Sequence, residues 1–236
     1  MKILIVLTSH DQLGNTGRKT GFYLPELTHA LDVFAKAGFG FDLVSPKGGQ
    51  PPVDGADAKD PLNAAFLADA TWTERLARTL TPEQVDPKQY VGVYVPGGHG
   101  TMFDLPENAG IQKLIGAVYA QGGVVSAVCH GPAALVNVKL PDGRYLVAGK
   151  EVSAFTNEEE AAVQLTQVMP FLLESTLTER GAKLRKVANF QPQVSVSERL
   201  VTGQNPASTA GVAEAAVRLL PTAHAARAAA AVEARR

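Results

Sequence analysis

Cysteine is nearly absent from this chain: 236 residues contain one, Cys129. A lone cysteine excludes an intrachain disulfide framework and fits a reducing compartment, so the sequence reads as cytoplasmic. Charge of one sign is not in excess either. Lys and Arg number 22 against 23 Asp and Glu, for a formal net charge of −1. That balance offers no electrostatic attraction to nucleic acid or to an anionic membrane. Long apolar runs are missing. The run Ile3 to Leu7 is too short for a signal-peptide core, and no stretch approaches the ~18 apolar residues of a membrane helix. Internal repeats are absent. So are a phosphate loop and a dinucleotide fingerprint, since "GGHG" and "GGQPPVDG" lack the spacing and context those motifs need. The single tryptophan, Trp72, suits a core or interface position.

What remains is an ordinary globular composition, 45% apolar, long enough for a two- or three-layer core. Strand and helix patterns alternate. Ile3–Leu7, Phe41–Ser45, Val91–Val95, Val124–Val128 and Arg199–Gly203 read as strands, most of them uninterrupted apolar runs buried on both faces. Pro25 opens a helix with Leu27, Ala30, Leu31 and Phe34 on one stripe, closed by Gly38. Further helices are expected from Leu105 to Gln121, from Pro170 to Gly181 and from Ala207 to Leu220. A short one follows Cys129, and Asn157 is expected to cap another. The stretch 63–80 looks helical but is hard to phase. Val152–Phe155 reads as a short strand, and Asp142-Gly143 as a hairpin turn. The order predicts one α/β domain over 1–221, a three-layer sandwich around a mostly parallel sheet, followed by an Ala-rich tail over 222–236. Such sheets bind ligands beyond the C-terminal ends of their strands, where "PGGHG" and "CHGP" both fall.

Cys129 stands at a strand-to-helix turn, the position of a nucleophile elbow. Free N–H groups and the positive end of the following helix favour a thiolate, which predicts a depressed pKa and high reactivity. The alternative is a buried cysteine acting as a small hydrophobe. Glu26 and His29, one helical turn apart, could in principle bind a metal, but a plain helix-surface pair is the better reading.

The motifs "GFYLPELTHALDVF", "VPGGHGTMFDLP", "AVCHGPAAL", "AFTNEEEAAV" and "LVTGQNPAS", in that order, resemble the ThiJ/PfpI family of the class I glutamine amidotransferase-like superfamily. They point to its branch of glyoxalase III enzymes and heat-shock chaperones. The resemblance implies a flavodoxin-like fold, a homodimer, and Cys129 as nucleophile with His130 beside it. It makes Glu26 the acid near the first helix, able to shuttle a proton. "TNEEEAA" offers Glu158, Glu159 and Glu160; relatives carry the acid five residues after the strand phenylalanine, which selects Glu160 as the partner of His130. The family's oxyanion-binding N–H groups correspond to Gly98 and to the residue after the cysteine, His130. His99 is either a pocket residue or a turn residue.

The implied activity is cofactor-independent conversion of methylglyoxal, a small reactive dicarbonyl, to D-lactate, with no metal, glutathione or nucleotide. Two other readings share the site: a holdase chaperone with a redox-sensing cysteine, and a cysteine hydrolase acting on peptides, amides or glycated proteins. A glutamine amidotransferase is disfavoured, because no synthase domain is evident and the acid near the first helix belongs to the other branch.

Overall fold

The computed structural model describes residues 1–221; the tail over 222–236 lies outside the described residues. Six strands build the central sheet: β1 (Lys2–Val6), β2 (Gly40–Val44), β3 (Tyr90–Val95), β4 (Val124–Val128), β5 (Val194–Ser197) and β6 (Leu200–Gly203). Their spatial order is β2-β1-β3-β4-β6-β5. All neighbours pair in parallel except β6 with β5, which form an antiparallel edge hairpin. This is the flavodoxin-like arrangement expected. Strand order reverses between β1 and β3, and ligands gather at such a switch point.

The apolar runs bury both faces of the sheet. Leu4, Val6, Val93, Val95, Val125 and Ala127 point into one core beneath the helix Ala109–Ala120. Ile3, Ile5, Leu7, Tyr94, Val124 and Val128 alternate with them into a second core. The helices Leu24–Lys36 and Thr209–Leu219 cover that second face with Leu27, Ala30, Phe34, Val212 and Ala216. Trp72 belongs to this core's margin, stacked on Phe66 with ring centroids 5.3 Å apart.

Several boundaries differ from expectation. The helix expected from Leu105 begins only at Ala109, as Ala109–Ala120, and a separate short helix, Thr101–Asp104, precedes it. Pro106 cannot continue a helix, and Asn108 starts the longer one by accepting the Ile111 N–H. The stretch 63–80 also holds two short helices, Pro61–Ala68 and Ala70–Ala77, capped by the side chains of Asp60 and Asp69. Thr156, not Asn157, caps the helix Asn157–Ala162. The expected strand Val152–Phe155 shrinks to Glu151–Val152, and the helix expected over Pro170–Gly181 to Leu173–Glu179. β5, polar at every other position, escaped notice. The element after Cys129 is a five-residue 3-10 turn, Gly131–Leu135.

Among the described residues no helix is long and apolar enough to cross a membrane.

Candidate active site

Cys129 follows β4 directly and takes φ +60°, the left-handed region that costs a non-glycine residue of order 1 kcal/mol or more. Its N–H is tied to Gly203 O and its C=O accepts from Phe155 N–H, both at 2.9 Å, so neighbouring segments hold the bend. The side chain lines a cavity of about 380 Å³ at the C-terminal ends of the strands, with Glu26, Gly98, His99 and His130. Phe155 and Phe190 form an apolar wall, and Arg18 stands at the rim. A larger surface groove of about 620 Å³, lined by Lys113, Lys139 and Arg180 among others, contains no cysteine, serine or threonine.

His130 is 1% exposed. Its Nδ1 lies 3.4 Å from Cys129 Sγ and its Nε2 2.7 Å from Glu160 Oε2. Burial, and then the nearby His99, push the imidazole down to about 4, so the ring is neutral at physiological pH. Burial alone would raise Glu160, but hydrogen bonds from His130 and His99 pull it down to about 2. An ionised carboxylate accepts only, so the His130 proton sits on Nε2 and the Nδ1 lone pair faces the thiol.

Glu26 occupies the first turn of Leu24–Lys36 and is fully buried. Oε2 accepts the Gly97 N–H at 2.5 Å, and the Tyr94 hydroxyl donates to the Glu26 main-chain oxygen at 2.6 Å. Oε1 is buried without a hydrogen-bond partner among the described residues. Burial raises the carboxyl to about 8, against smaller opposing effects of the Cys129 thiol and the Gly97 N–H. Glu26 is therefore protonated at neutral pH.

Glycine is required in the facing loop. A Cβ on Gly97 would stand 2.7 Å from His130 N and 2.8 Å from Glu26 Oε2. Gly98 has φ +98°, and a Cβ there would meet Gly21 O at 2.3 Å. Neither the Gly98 N–H nor the His130 N–H is taken up by a backbone acceptor among the described residues.

The structure thus brings together Cys129, His130, Glu26, Glu160, Gly98 and His99. One electrostatic expectation is overturned. Burial, followed by the charge of an ionised Glu26, pushes the Cys129 thiol well above its ordinary value. The depressed pKa was argued from a helix N-terminus, but a five-residue 3-10 turn supplies little dipole. Glu26 and His29 form neither a surface pair nor a metal pair: Glu26 is buried and points inward, while His29 turns out to Asp60, its Nε2 2.7 Å from Oδ2.

Two further features escaped the sequence. His99 is not only a turn or pocket residue. Its Nε2 is 3.0 Å from Glu160 Oε1, and its ring lies 4.1 Å from that of His130. Nothing in "PGGHG" announces a contact with residue 160. Glu159, at a helix start where surface charge is common, is fully buried. Its Oε2 accepts from Thr156 N–H and Oγ1. Its Oε1 accepts from Phe190 N–H, Gln204 and Asn205. The T-x-x-E spacing from Thr156 is a capping-box signal that identifies half of this role. Phe190 sits at φ +60°, so Glu159 holds a strained residue on the cavity wall. Glu159→Gln places an amide N–H₂ among donors and is expected to cost about 2–4 kcal/mol. Thermal denaturation measures it; an unchanged melting temperature contradicts the assigned role. Glu158 is exposed and pairs with Lys186 at 3.3 Å, as surface charge should.

Comparison with known proteins identifies the family. The DJ-1/PfpI family model matches residues 19–219. "Glutathione-independent glyoxalase HSP31" of Saccharomyces cerevisiae is 35% identical over 221 residues, 88% of this chain and 92% of the relative. "Glyoxalase 3" of Candida albicans is 32% identical, covering 91% of this chain and 96% of the relative. Among solved structures, a 24 kDa rapid encystment protein from Francisella tularensis superposes with TM-score 0.89 at 40% identity, covering 93% of this chain and 99% of that one. Glyoxalase III from Candida albicans gives TM-score 0.86 at 29% identity, covering 93% and 97%. The chain belongs to the DJ-1/PfpI family.

Proposed function

We propose that this protein is a glutathione-independent glyoxalase that converts methylglyoxal and water to D-lactate. The observation that carries the reading is the Cys129–His130–Glu160 chain, 3.4 Å and 2.7 Å, with a protonated Glu26 beside the thiol. The names of the similar glyoxalases support the substrate class.

His130 Nδ1 takes the thiol proton as sulfur bonds to the aldehyde carbon, and Glu160 stabilises the imidazolium. A raised thiol pKa makes this base necessary, because free thiolate is scarce before substrate arrives. The carbonyl electron pair moves to oxygen, where the unengaged N–H groups of Gly98 and His130 receive it. Glu26 gives its proton to this oxygen and completes the hemithioacetal. The resulting carboxylate then removes the hydrogen from the same carbon, while His130 protonates the neighbouring carbonyl oxygen, leaving an enediol. Glu26 returns the proton to the second carbon as His130 takes the hydroxyl proton of the first, and a thioester results. Water attacks it, giving a proton to Glu26. The departing sulfur recovers its proton from His130, and one hydroxy acid leaves. A single fixed carboxyl delivers the carbon-bound proton from one face, so one enantiomer forms.

The cavity carries no requirement for glutathione in this scheme, and no step passes through a metal or nucleotide. The resemblance also carries a homodimer into this proposal; sedimentation equilibrium measures it, and a monomer at micromolar concentration contradicts it.

The choice of Glu160 is tested by three variants at saturating methylglyoxal. Glu160→Gln offers the imidazole a donor where an acceptor is needed and favours the wrong tautomer. It lowers kcat by roughly 10–1000-fold, less than an analogous change in a serine triad because sulfur needs less base assistance. Glu158→Gln leaves kcat unchanged. Glu159→Gln lowers stability, and kcat of its folded fraction falls less than that of Glu160→Gln. A loss confined to Glu158 or Glu159 contradicts the assignment.

A further inference from the structure

An ordinary triad joins one imidazole to one carboxylate. Here Glu160 is shared: Oε2 meets His130 Nε2 at 2.7 Å and Oε1 meets His99 Nε2 at 3.0 Å. The ligand-capable atoms of His99, His130 and Glu160 all lie within 4.8 Å of one another. Both imidazoles line the cavity, and the His99 side chain is 20% exposed to it. Two imidazoles and a carboxylate are a donor set suited to a divalent ion of borderline softness, above all zinc. Around a tetrahedral zinc with bonds near 2.1 Å, ligand atoms stand about 3.4 Å apart. The two nitrogen–oxygen separations, 2.7 and 3.0 Å, would therefore widen by about 0.7 and about 0.4 Å. A fourth position is left for a water ligand.

We propose that His99, His130 and Glu160 form a zinc-binding site whose occupation shuts off the thiol chemistry of the proposed glyoxalase. The inhibition follows from the tautomer. Zinc takes the Nε2 lone pair of His130, so the ring's single proton moves to Nδ1, which faces Cys129 Sγ. A nitrogen that already carries a proton accepts none from the thiol. Zinc also takes up an acceptor oxygen of Glu160, which then no longer orients the His130 ring. No bond to Cys129 is required, which separates this site from simple capture of zinc by a thiolate. His99 is the residue that makes the difference, because without it two protein ligands remain.

This inference rests on the glyoxalase reading only for its inhibitory half; binding is measured without substrate. Zinc titration followed by competition with a chromophoric chelator is expected to give one site per chain in the wild type and nearly the same affinity in Cys129→Ala. His99→Phe, which keeps a ring against His130, weakens binding at least about 100-fold, since loss of even an outer-sphere partner costs 10–100-fold. Glu160→Gln, nearly unchanged in volume, weakens it similarly, and melting curves confirm that both variants are folded. In the wild type, methylglyoxal turnover falls in proportion to occupancy and returns on adding EDTA. Absence of stoichiometric binding at millimolar zinc overturns the proposal. So does binding that vanishes in Cys129→Ala but survives in His99→Phe. If zinc binds as described and no methylglyoxal turnover exists to inhibit, the site stands and the glyoxalase reading fails.

Discussion

Cys129→Ala is expected to abolish methylglyoxal turnover, with a loss of at least about 10⁴-fold, while the fold survives. Every covalent intermediate in the scheme is bonded to Sγ, and triad enzymes lose this much or more when the nucleophile is removed. The variant keeps the Cβ and the left-handed backbone at φ +60°. The tethers from Gly203 O and Phe155 N–H involve only main chain, so they persist. The sulfur is a small part of a cavity wall, and its removal is expected to shift stability by no more than about 1 kcal/mol. Far-ultraviolet circular dichroism and a melting curve accompany the assay. Wild-type turnover by a folded Cys129→Ala contradicts the mechanism.

Glu26→Gln has the second large effect, and it moves activity and stability in opposite directions. The amide cannot carry a proton between the two carbons, so turnover falls by about 10²–10⁴-fold, the span of general acid–base catalysis. Thiol addition to the aldehyde still occurs, and the variant stalls as a reversible hemithioacetal. Stability follows from the raised pKa. Glu26 titrates near 8 in the folded protein against 4.5 as its ordinary value. Between those values the unfolded chain has released a proton that the folded chain retains. Stability therefore declines as pH rises from about 4.5 to about 8, and levels off above. Gln is neutral throughout and lacks this decline. The melting-temperature advantage of Glu26→Gln over the wild type is expected to grow from pH 5 to pH 8. A constant difference across that range contradicts a buried, protonated Glu26. The same titration predicts that wild-type kcat/KM falls above about pH 8, as the working proton is lost.

Such a carboxyl is an instance of stability given up for function. Its bond to the Gly97 N–H could be made as well by an amide oxygen, and its Oε1 is left without a partner among the described residues. Strain gathers at the same place. Cys129 and Phe190 take positive φ on the cavity wall, and Gln164 does so between the lining residues Val163 and Leu165. Positive φ at non-glycine residues persists only where surroundings enforce it, and here the enforcement includes the buried Glu159.

The sheet was legible because its strands are short apolar runs at fixed intervals, and burial on both faces leaves no other reading for Ile3–Leu7 or Val124–Val128. The first helix was legible through Pro25, its stripe and Gly38. Boundaries that depend on one capping side chain, such as Asn108 or Thr156, were misplaced by a few residues. β5 was lost because an edge strand buries only alternate residues weakly. At the site, Cys129, His130 and Glu160 were singled out by the family resemblance that the motifs carry. Their electrostatics were not legible, because pKa values depend on burial and on groups distant in sequence. Glu26 is 103 positions from Cys129, and His99 is 61 from Glu160. Contacts of that kind leave no local pattern. The thiol was misjudged for this reason: a helix was inferred after Cys129, and the turn that stands there is too short to stabilise a thiolate.

The central claim is that Cys129, His130, Glu160 and Glu26 together isomerise a dicarbonyl without any added cofactor. The most direct test incubates purified, chelator-treated protein with methylglyoxal in glutathione-free buffer and resolves the product by chiral chromatography. The account predicts stoichiometric D-lactate in a single enantiomer, abolished in Cys129→Ala. Absence of lactate, or a racemic product, contradicts it.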